Sequence, residues 1–297
     1  MSNKLRKMTL EKKHNLTGWA FLAPATFLIA VFSFWPMIKA LVLSFQTGKG
    51  RNMQMAGFTN YIRMFQDDVF IQSIKNTFFY FILQVPIMLV VALVLACILN
   101  KKDLRFKGFF RTMIFVPCTT SLVAYSIIFR SLFANNGLVN YVLVNLGILD
   151  KPYNFLTQPF AAKMVIILAL LWRWTGYNMV FFLSGLQNIE YSVYEAAKID
   201  GASAIQTFFK ITVPLLKPTI LLTAIMSTNG TLQLFDESIN LTDGGPANAS
   251  ISMSHYIYNL CFKYVPNFGY AAAMSFFILL LVAVLAFIQM RVGDKRD

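Results

Sequence analysis

Six long apolar stretches constrain this chain more than any other feature of its sequence. They cover approximately residues 17–45, 74–99, 112–133, 161–187, 215–235 and 269–290. A helix needs about 20 predominantly apolar residues to cross the hydrocarbon core of a bilayer, and each stretch reaches that length. Only 13% of the 297 residues are charged, whereas about 25% is usual in a soluble domain. The pattern predicts an all-α integral membrane protein with about six transmembrane helices.

The first apolar stretch is too long for the apolar core of a signal peptide, and no cleavage-type sequence follows a short core. It is therefore predicted to remain as a membrane anchor. Pro24 and Pro36 lie within it, and each is expected to bend the helix or end it locally.

The distribution of basic residues predicts which ends of the spans face the cytoplasm. With the N-terminus inside, the inner connecting segments contain sixteen Lys and Arg residues and the outer segments contain seven. An excess of Lys and Arg marks cytoplasmic loops. We therefore predict cytoplasmic tails at residues 1–16 and 292–297, with a transmembrane domain over residues 17–291 between them.

The net charge of +13 does not predict a nucleic-acid partner, because the basic residues lie at the ends of apolar runs rather than in one broad stripe. Cys97, Cys118 and Cys261 lack metal-ligand or redox spacing, so they are predicted to be small buried apolar residues. The chain contains no phosphate-binding loop, nucleophile elbow or zinc-protease helix. The sequence thus predicts no catalytic residue, no cofactor and no metal site.

The one long polar connection on the predicted inner side, residues 188–218, has two helix-start patterns. Ser192 and Glu195 have the spacing of a capping box, and Gly201 lies where a first short helix is expected to end. Ser203 and Gln206 form a second capping-box pattern. The segment, here called the coupling loop, is predicted to be two short helices that meet at a glycine.

The end of the second short helix is predicted from proline, since Pro214 and Pro218 are expected to delimit it. Local chemistry alone leaves a simpler alternative open, in which the whole loop is an amphipathic connector lying on the lipid surface.

The coupling loop resembles the EAA motif of binding-protein-dependent ABC importer permeases. The matching residues are Glu195-Ala196-Ala197, Asp200-Gly201-Ala202, Ile211 and Pro214. The later sequence from Leu241 to Pro246 fits the sugar-permease group of that family, and the resemblance covers essentially the whole chain. Glu190 is a departure, because many relatives have proline at this position.

The resemblance implies a type I ABC importer fold in a bacterial cytoplasmic membrane, with both termini cytoplasmic. It further implies a second permease subunit in a heterodimer, two ATPase subunits, an extracytoplasmic solute-binding protein and a sugar substrate moved by alternating access. Hydrolysis would belong to the ATPase, so this chain is a non-catalytic subunit. The residues implied in ATPase coupling are Glu195, Ala196, Ala197, Asp200, Gly201 and Ala202.

Candidate substrate residues in the fourth apolar stretch are Arg173, Trp174, Tyr177 and Asn178. Aromatic faces suit the C–H surfaces of sugars, planar polar groups suit their hydroxyls, and residues four apart share a helix face. The resemblance supports Arg173, Trp174 and Tyr177 in particular. The alternative is an interfacial aromatic belt, with Arg173 extended to the outer headgroups.

Further substrate candidates in and just after the fifth stretch are Asn229, Thr231, Gln233 and Asp236. Polar groups inside apolar spans usually face a cavity or a partner. They could equally bond a neighbouring helix, and Asp236 could pair with Arg130 or Arg173.

Two other functional classes remain as alternatives from the residues alone. An ion-coupled secondary transporter usually has repeat symmetry and membrane-buried titratable residues, and here such residues are few. A membrane-embedded enzyme would need a catalytic cluster, which the sequence lacks.

Overall fold

Helices make up nearly all the regular structure in the computed structural model, which describes residues 9–49, 52–101 and 103–293. Spans 1, 2, 4 and 6 are continuous helices long and apolar enough to cross a membrane: Leu10–Ser44, Asp68–Asn100, Pro159–Gln187 and Phe268–Gly293. Spans 3 and 5 are each a bent pair of helices: Lys107–Thr119 with Leu122–Leu132, and Ala204–Leu215 with Lys217–Leu232. Counting each pair as one span confirms the predicted all-α membrane fold with about six spans.

Shorter elements connect the spans. Strands Gln46–Lys49 and Asn52–Met55 form an antiparallel hairpin in which Gln46 lies opposite Met55. The short helices are Thr59–Met64, Leu138–Asn145, Tyr191–Ile199, Asp236–Thr242 and Met253–Tyr258, the last continued by a π-helical turn at Asn259–Lys263.

Span 1 begins at Leu10, earlier than the predicted boundary at residue 17, and neither Pro24 nor Pro36 ends it. A π-helical turn at Ala30–Phe34 precedes Pro36. A wider turn at this point accommodates a proline that lacks an N–H for the ordinary hydrogen bond. The predicted tails fall partly outside the described residues, which exclude 1–8 and 294–297.

Span 3 differs most from the sequence-based prediction, which placed a single helix over residues 112–133. Its two helices meet at an angle of 98° between Thr119 and Leu122. Pro117 lies in the last turn of the first helix, where the chain leaves helical geometry at Thr120. A break of this kind leaves backbone carbonyls that need donors from elsewhere in the protein.

The centre of the bundle is the contact between spans 2 and 4. Ala92 and Ala96 of span 2 pack in one buried cluster with Met179 and Phe182 of span 4. Small residues allow helix backbones to approach closely, which drives helix association in a bilayer. The three cysteines are half-buried rather than fully buried.

Gly176 marks the closest approach of span 4 to span 3. A β-carbon built there would lie 1.9 Å from the carbonyl oxygen of Ile114. Because the obstacle is backbone, no side-chain rotation can relieve it. We expect Gly176→Ala to destabilise the protein by roughly 1–3 kcal/mol, the usual cost of overpacking. Gly108→Ala is the matched control, since nothing lies within 4 Å of its β-carbon. Equal melting temperatures of the two purified variants would contradict this prediction.

Candidate functional sites

The first helix of the coupling loop ends in a glycine turn, as the sequence predicts. Helix Tyr191–Ile199 is followed by Asp200, and Gly201 has a φ of +75°. The amide of Ala202 donates to the carbonyl of Ala197 at 2.9 Å, and that of Gly201 donates to Lys198 at 3.2 Å. This pair of hydrogen bonds is the Schellman motif, which satisfies the last carbonyls of a helix.

The start of this helix corrects the first predicted capping box. Glu190, not Ser192, occupies the N-cap position, and no side chain caps the helix amides there. Because the helix begins two residues earlier than the box requires, Ser192 already lies inside the first turn. Its hydroxyl instead donates to the Glu190 carboxylate at 3.3 Å.

The second capping box is confirmed. Ser203 Oγ accepts from the amide of Gln206, and the Gln206 side chain accepts from the amide of Ser203 at 2.8 Å. The helix then continues through Pro214 and ends at Leu215, between the two prolines that were predicted to delimit it. A π-helical turn at Phe208–Thr212 widens the helix just before that proline. Pro218 opens the next helix, Lys217–Leu232.

The coupling loop exposes apolar side chains on a well-fixed backbone. Ile199 is 86% exposed and Ile205 is 71% exposed. Of the six predicted coupling residues, Glu195, Ala196, Asp200 and Gly201 are exposed, Ala202 is half-buried and Ala197 is buried. A rigid knob with an apolar tip is the kind of element that fits into a groove on another protein.

Farther along the bundle, residues of spans 2, 3, 4 and 5 and of the segment 234–237 line a partly open cavity of about 300 Å³. It brings together six of the eight predicted substrate residues: Trp174, Tyr177, Asn178, Thr231, Gln233 and Asp236. Its other lining residues are Gln84, Met88, Leu122, Leu170, Met226, Ser227, Gly230, Leu234, Phe235 and Glu237. The lining combines aromatic rings with amides and hydroxyls, the chemistry that suits a polyhydroxylated ligand.

Hydrogen bonds between the spans fix the polar groups of the cavity. Thr231 Oγ1 donates to Gln84 Oε1 at 2.8 Å, which joins spans 5 and 2. Ser227 Oγ donates to Asn178 Oδ1 at 3.3 Å, which joins spans 5 and 4. Gln84 and Ser227 were not predicted as site residues. A search for every polar side chain in an apolar stretch would have found both.

Arg173 does not line the cavity. Its side chain is 6% exposed, and its Nη1 donates to the carbonyl oxygens of Thr120 at 2.6 Å and Pro117 at 3.4 Å. Those carbonyls belong to the break in span 3. The guanidinium also lies over the Tyr125 ring, 4.9 Å from its centroid. Arg173 therefore supports the broken helix, and it does not reach out to the headgroups.

Asn229 also lies outside the cavity. It is exposed, and its Oδ1 accepts from Gln233 Nε2 at 2.5 Å. Both residues line a shallower groove between spans 5 and 6. Among the described residues, Asp236 forms no salt bridge with Arg130 or Arg173. Asp243 forms one with Lys263, and His255 Nε2 lies 3.7 Å from Asp243 Oδ1.

Glu237 is a cavity residue that the sequence reasoning missed. It lies in the first turn of helix Asp236–Thr242 and is only 4% exposed. The hydroxyl of Tyr125 donates to its carboxylate. Burial raises the pKa of Glu237, and the hydrogen bond from Tyr125 opposes that rise. No local pattern marks this residue, since its partner lies 112 residues away.

The loop after helix Asp236–Thr242 forms a turn at Gly244-Gly245-Pro246. Asp243 and Gly244 both have positive φ, and the amide of Gly244 donates to the carbonyl of Ser238 at 3.0 Å. His255 lies buried beneath this turn with its Nδ1 2.9 Å from Ser238 Oγ. Burial lowers the pKa of His255 to about 4, so the ring is neutral at pH 7.

Residues 67–296 match the family described as "Binding-protein-dependent transport system inner membrane component". The chain is 51% identical to the lactose transport system permease protein LacF of Rhizobium radiobacter, over 98% of both chains. It is 31% identical to the arabinooligosaccharides permease AraP of Bacillus subtilis, over 93% of this chain and 88% of that one. A bacterial alginate ABC transporter, solved with an alginate pentasaccharide-bound periplasmic protein, superposes with a TM-score of 0.84 at 25% identity, covering 96% of each chain.

The fold and the spans define a multi-pass inner-membrane protein of the ABC importer permease class. The chain belongs to the binding-protein-dependent inner-membrane component family, and within it to the sugar importer permeases. It is accordingly a non-catalytic membrane subunit.

Proposed function

We propose that this chain carries a sugar through its cavity by alternating access, driven by a separate ATPase that grips the coupling loop. The sugar would be delivered by an extracytoplasmic binding protein, as the complex solved for the alginate transporter illustrates for that relative. The coupling loop and both termini would face the cytoplasm, consistent with the distribution of Lys and Arg.

The observation that carries this proposal is the continuity between the coupling loop and the cavity. Helix Ala204–Leu215 bends by 69° into Lys217–Leu232, and Ser227 and Thr231 of that second helix line the cavity. Span 4 enters the loop from the other side, with Trp174 and Tyr177 on the cavity wall. A displacement of the loop would therefore be transmitted along two helices that both line the cavity.

The coupling loop has the properties that such transmission requires. Its two helices end and begin with fully bonded caps around Gly201 and Ser203, so the turn between them resists bending. Its exposed apolar residues, Ile199 and Ile205, can enter a groove on the ATPase. We assign contact with the ATPase to Glu195, Ala196, Asp200 and Gly201, and a supporting role to the more buried Ala197 and Ala202.

Span 1 supports a second permease subunit as a partner. Apart from Lys13, whose side chain is not described, the side chains from Leu10 to Lys39 are all exposed. The other continuous spans bury a substantial share of their apolar window, whereas span 1 buries none. We propose that part of this helix packs against the sister subunit of a heterodimer, which binds two ATPase subunits.

Transport in liposomes tests the proposed function. We expect sugar uptake by the reconstituted complex to require ATP, the ATPase subunits and the binding protein, and to persist when ionophores collapse all ion gradients. Uptake driven by an ion gradient in liposomes that lack the ATPase would contradict the proposal and favour a secondary transporter.

A further inference from the structure

We propose that the cavity selects uncharged sugars over anionic ones, and that Glu237 accepts a hydrogen bond from the bound sugar. This inference rests on the proposed function, since it assumes that the cavity holds the sugar. It adds the charge class of the substrate and a binding residue.

The charges on the cavity wall are the first argument. Asp236 and Glu237 are the acidic lining residues, and the described lining contains no Lys, Arg or His. The remaining polar side chains there are amides and hydroxyls. A carboxylate or phosphate on the ligand would lose its hydration without gaining a positive partner, which is costly in a partly enclosed site. A neutral polyol loses much less and can use the same amides and hydroxyls.

The nearest cation, Arg173, is already engaged and does not change this balance. Its guanidinium is held by the carbonyls of Thr120 and Pro117 and by the rings of Tyr125 and Trp174. Its charge acts on Glu237 and offsets one of the two carboxylates. With Glu237 protonated, the positive charge of Arg173 and the negative charge of Asp236 sum to zero. In neither state does the wall of the cavity gain a net positive charge.

The position of Glu237 is the second argument. Its carboxyl group is buried, lines the cavity and is held by the Tyr125 hydroxyl. The ring of Tyr125 lies under Arg173 and stacks on Trp172 at a centroid distance of 6.2 Å. A carboxylate offers about four lone-pair sites, so it can accept from a sugar hydroxyl while it accepts from Tyr125. Glu237 is thus a fixed acceptor that is ready before the ligand binds.

Matched sugar pairs test the inference on the intact transporter complex. The probes are methyl β-galactoside with methyl β-galacturonide, and methyl β-glucoside with methyl β-glucuronide. Within each pair only the group at C6 differs, so the ring and its remaining hydroxyls are constant. Binding to the detergent-purified complex without the binding protein is measured by saturation-transfer NMR, which removes the selectivity of that protein from the result.

We expect the wild-type complex to bind the preferred neutral glycoside at least about tenfold more tightly than its anionic partner. Glu237→Gln should weaken binding of the neutral glycoside about tenfold, the loss expected for a hydrogen bond to a charged acceptor. It should also reduce the ratio of the affinities for the neutral and the anionic member of the pair. Asp236→Asn should reduce this affinity ratio as well, and it serves as the second variant if Glu237→Gln folds poorly. Asp243→Asn is the control, because that acid is exposed and pairs with Lys263.

Equal affinity of the wild-type complex for both members of a pair would overturn the inference and leave the proposed function intact. Unchanged neutral binding in Glu237→Gln would remove that residue from the site. Binding of none of the four probes would count against a sugar site in the cavity, and it would overturn the inference together with that part of the proposed function.

Discussion

Replacing Gly201 with aspartate is expected to abolish ATP-driven uptake while the chain stays folded in the membrane. Gly201 has a φ of +75° and open space where a β-carbon would lie. Aspartate is one of the few residues that adopt this left-handed conformation at modest cost, so the helix end should survive. The new charge would project from the exposed turn of the coupling loop. There it would have to be desolvated in the proposed groove of the ATPase, which costs several kcal/mol for an unpaired ion.

The matched control for Gly201→Asp is Gly147→Asp. Gly147 has a φ of +71° and nothing within 4 Å of its β-carbon, but it lies between spans 3 and 4 and outside the coupling loop. Both variants carry the same backbone strain and the same added charge. We expect loss of ATPase copurification and of uptake only for Gly201→Asp. Copurification and uptake at wild-type levels in both variants would remove the coupling assignment.

The sequence predicted the features of the fold that depend on composition and on neighbouring residues. Apolar length was enough for six spans, because the bilayer imposes one thickness on all of them. The glycine turn at Gly201 and the capping box at Ser203 were predictable for a different reason: each depends on hydrogen bonds between residues at most six positions apart. The capping box predicted at Ser192 is wrong because Glu190 is the N-cap and the helix starts earlier. The spacing of the residues alone does not decide which of these two nearby positions caps the helix.

The features that were not predicted depend on contacts between distant residues. The break in span 3 is stabilised by Arg173, whose bonds to Thr120 and Pro117 span 53 and 56 residues. The sequence predicts Arg173 as a substrate residue, because an arginine inside an apolar stretch signals a polar partner. Arg173 does have a polar partner, but that partner is the backbone of span 3 and not a ligand. Glu237 was not predicted because it lies just beyond the apolar stretch, where an acidic residue is not unusual. Its hydrogen bond from Tyr125 holds it at the cavity.

Trp174 and Tyr177 are the residues whose loss should most reduce transport by acting on the cavity itself. Both rings line the cavity, and they meet edge to face with centroids 5.8 Å apart. Truncation of either ring removes a flat apolar wall against which a sugar can pack. We expect Trp174→Ala and Tyr177→Ala each to lower uptake by about tenfold or more, which corresponds to about 1.4 kcal/mol or more of lost binding free energy.

Trp172→Ala distinguishes a cavity role from a role in an interfacial aromatic belt. Trp172 lies on the same span two residues away, is 44% exposed and does not line the cavity. An aromatic belt would make the two tryptophans equivalent. A cavity role predicts the larger defect for Trp174→Ala, because Trp172 reaches the site only through its stacking on Tyr125. Stimulation of the ATPase by the sugar-loaded binding protein should persist in Trp174→Ala, because the proposed docking and coupling sites lie at the two ends of the bundle and outside the cavity. Equal uptake by Trp172→Ala and Trp174→Ala would assign these rings to the bilayer interface.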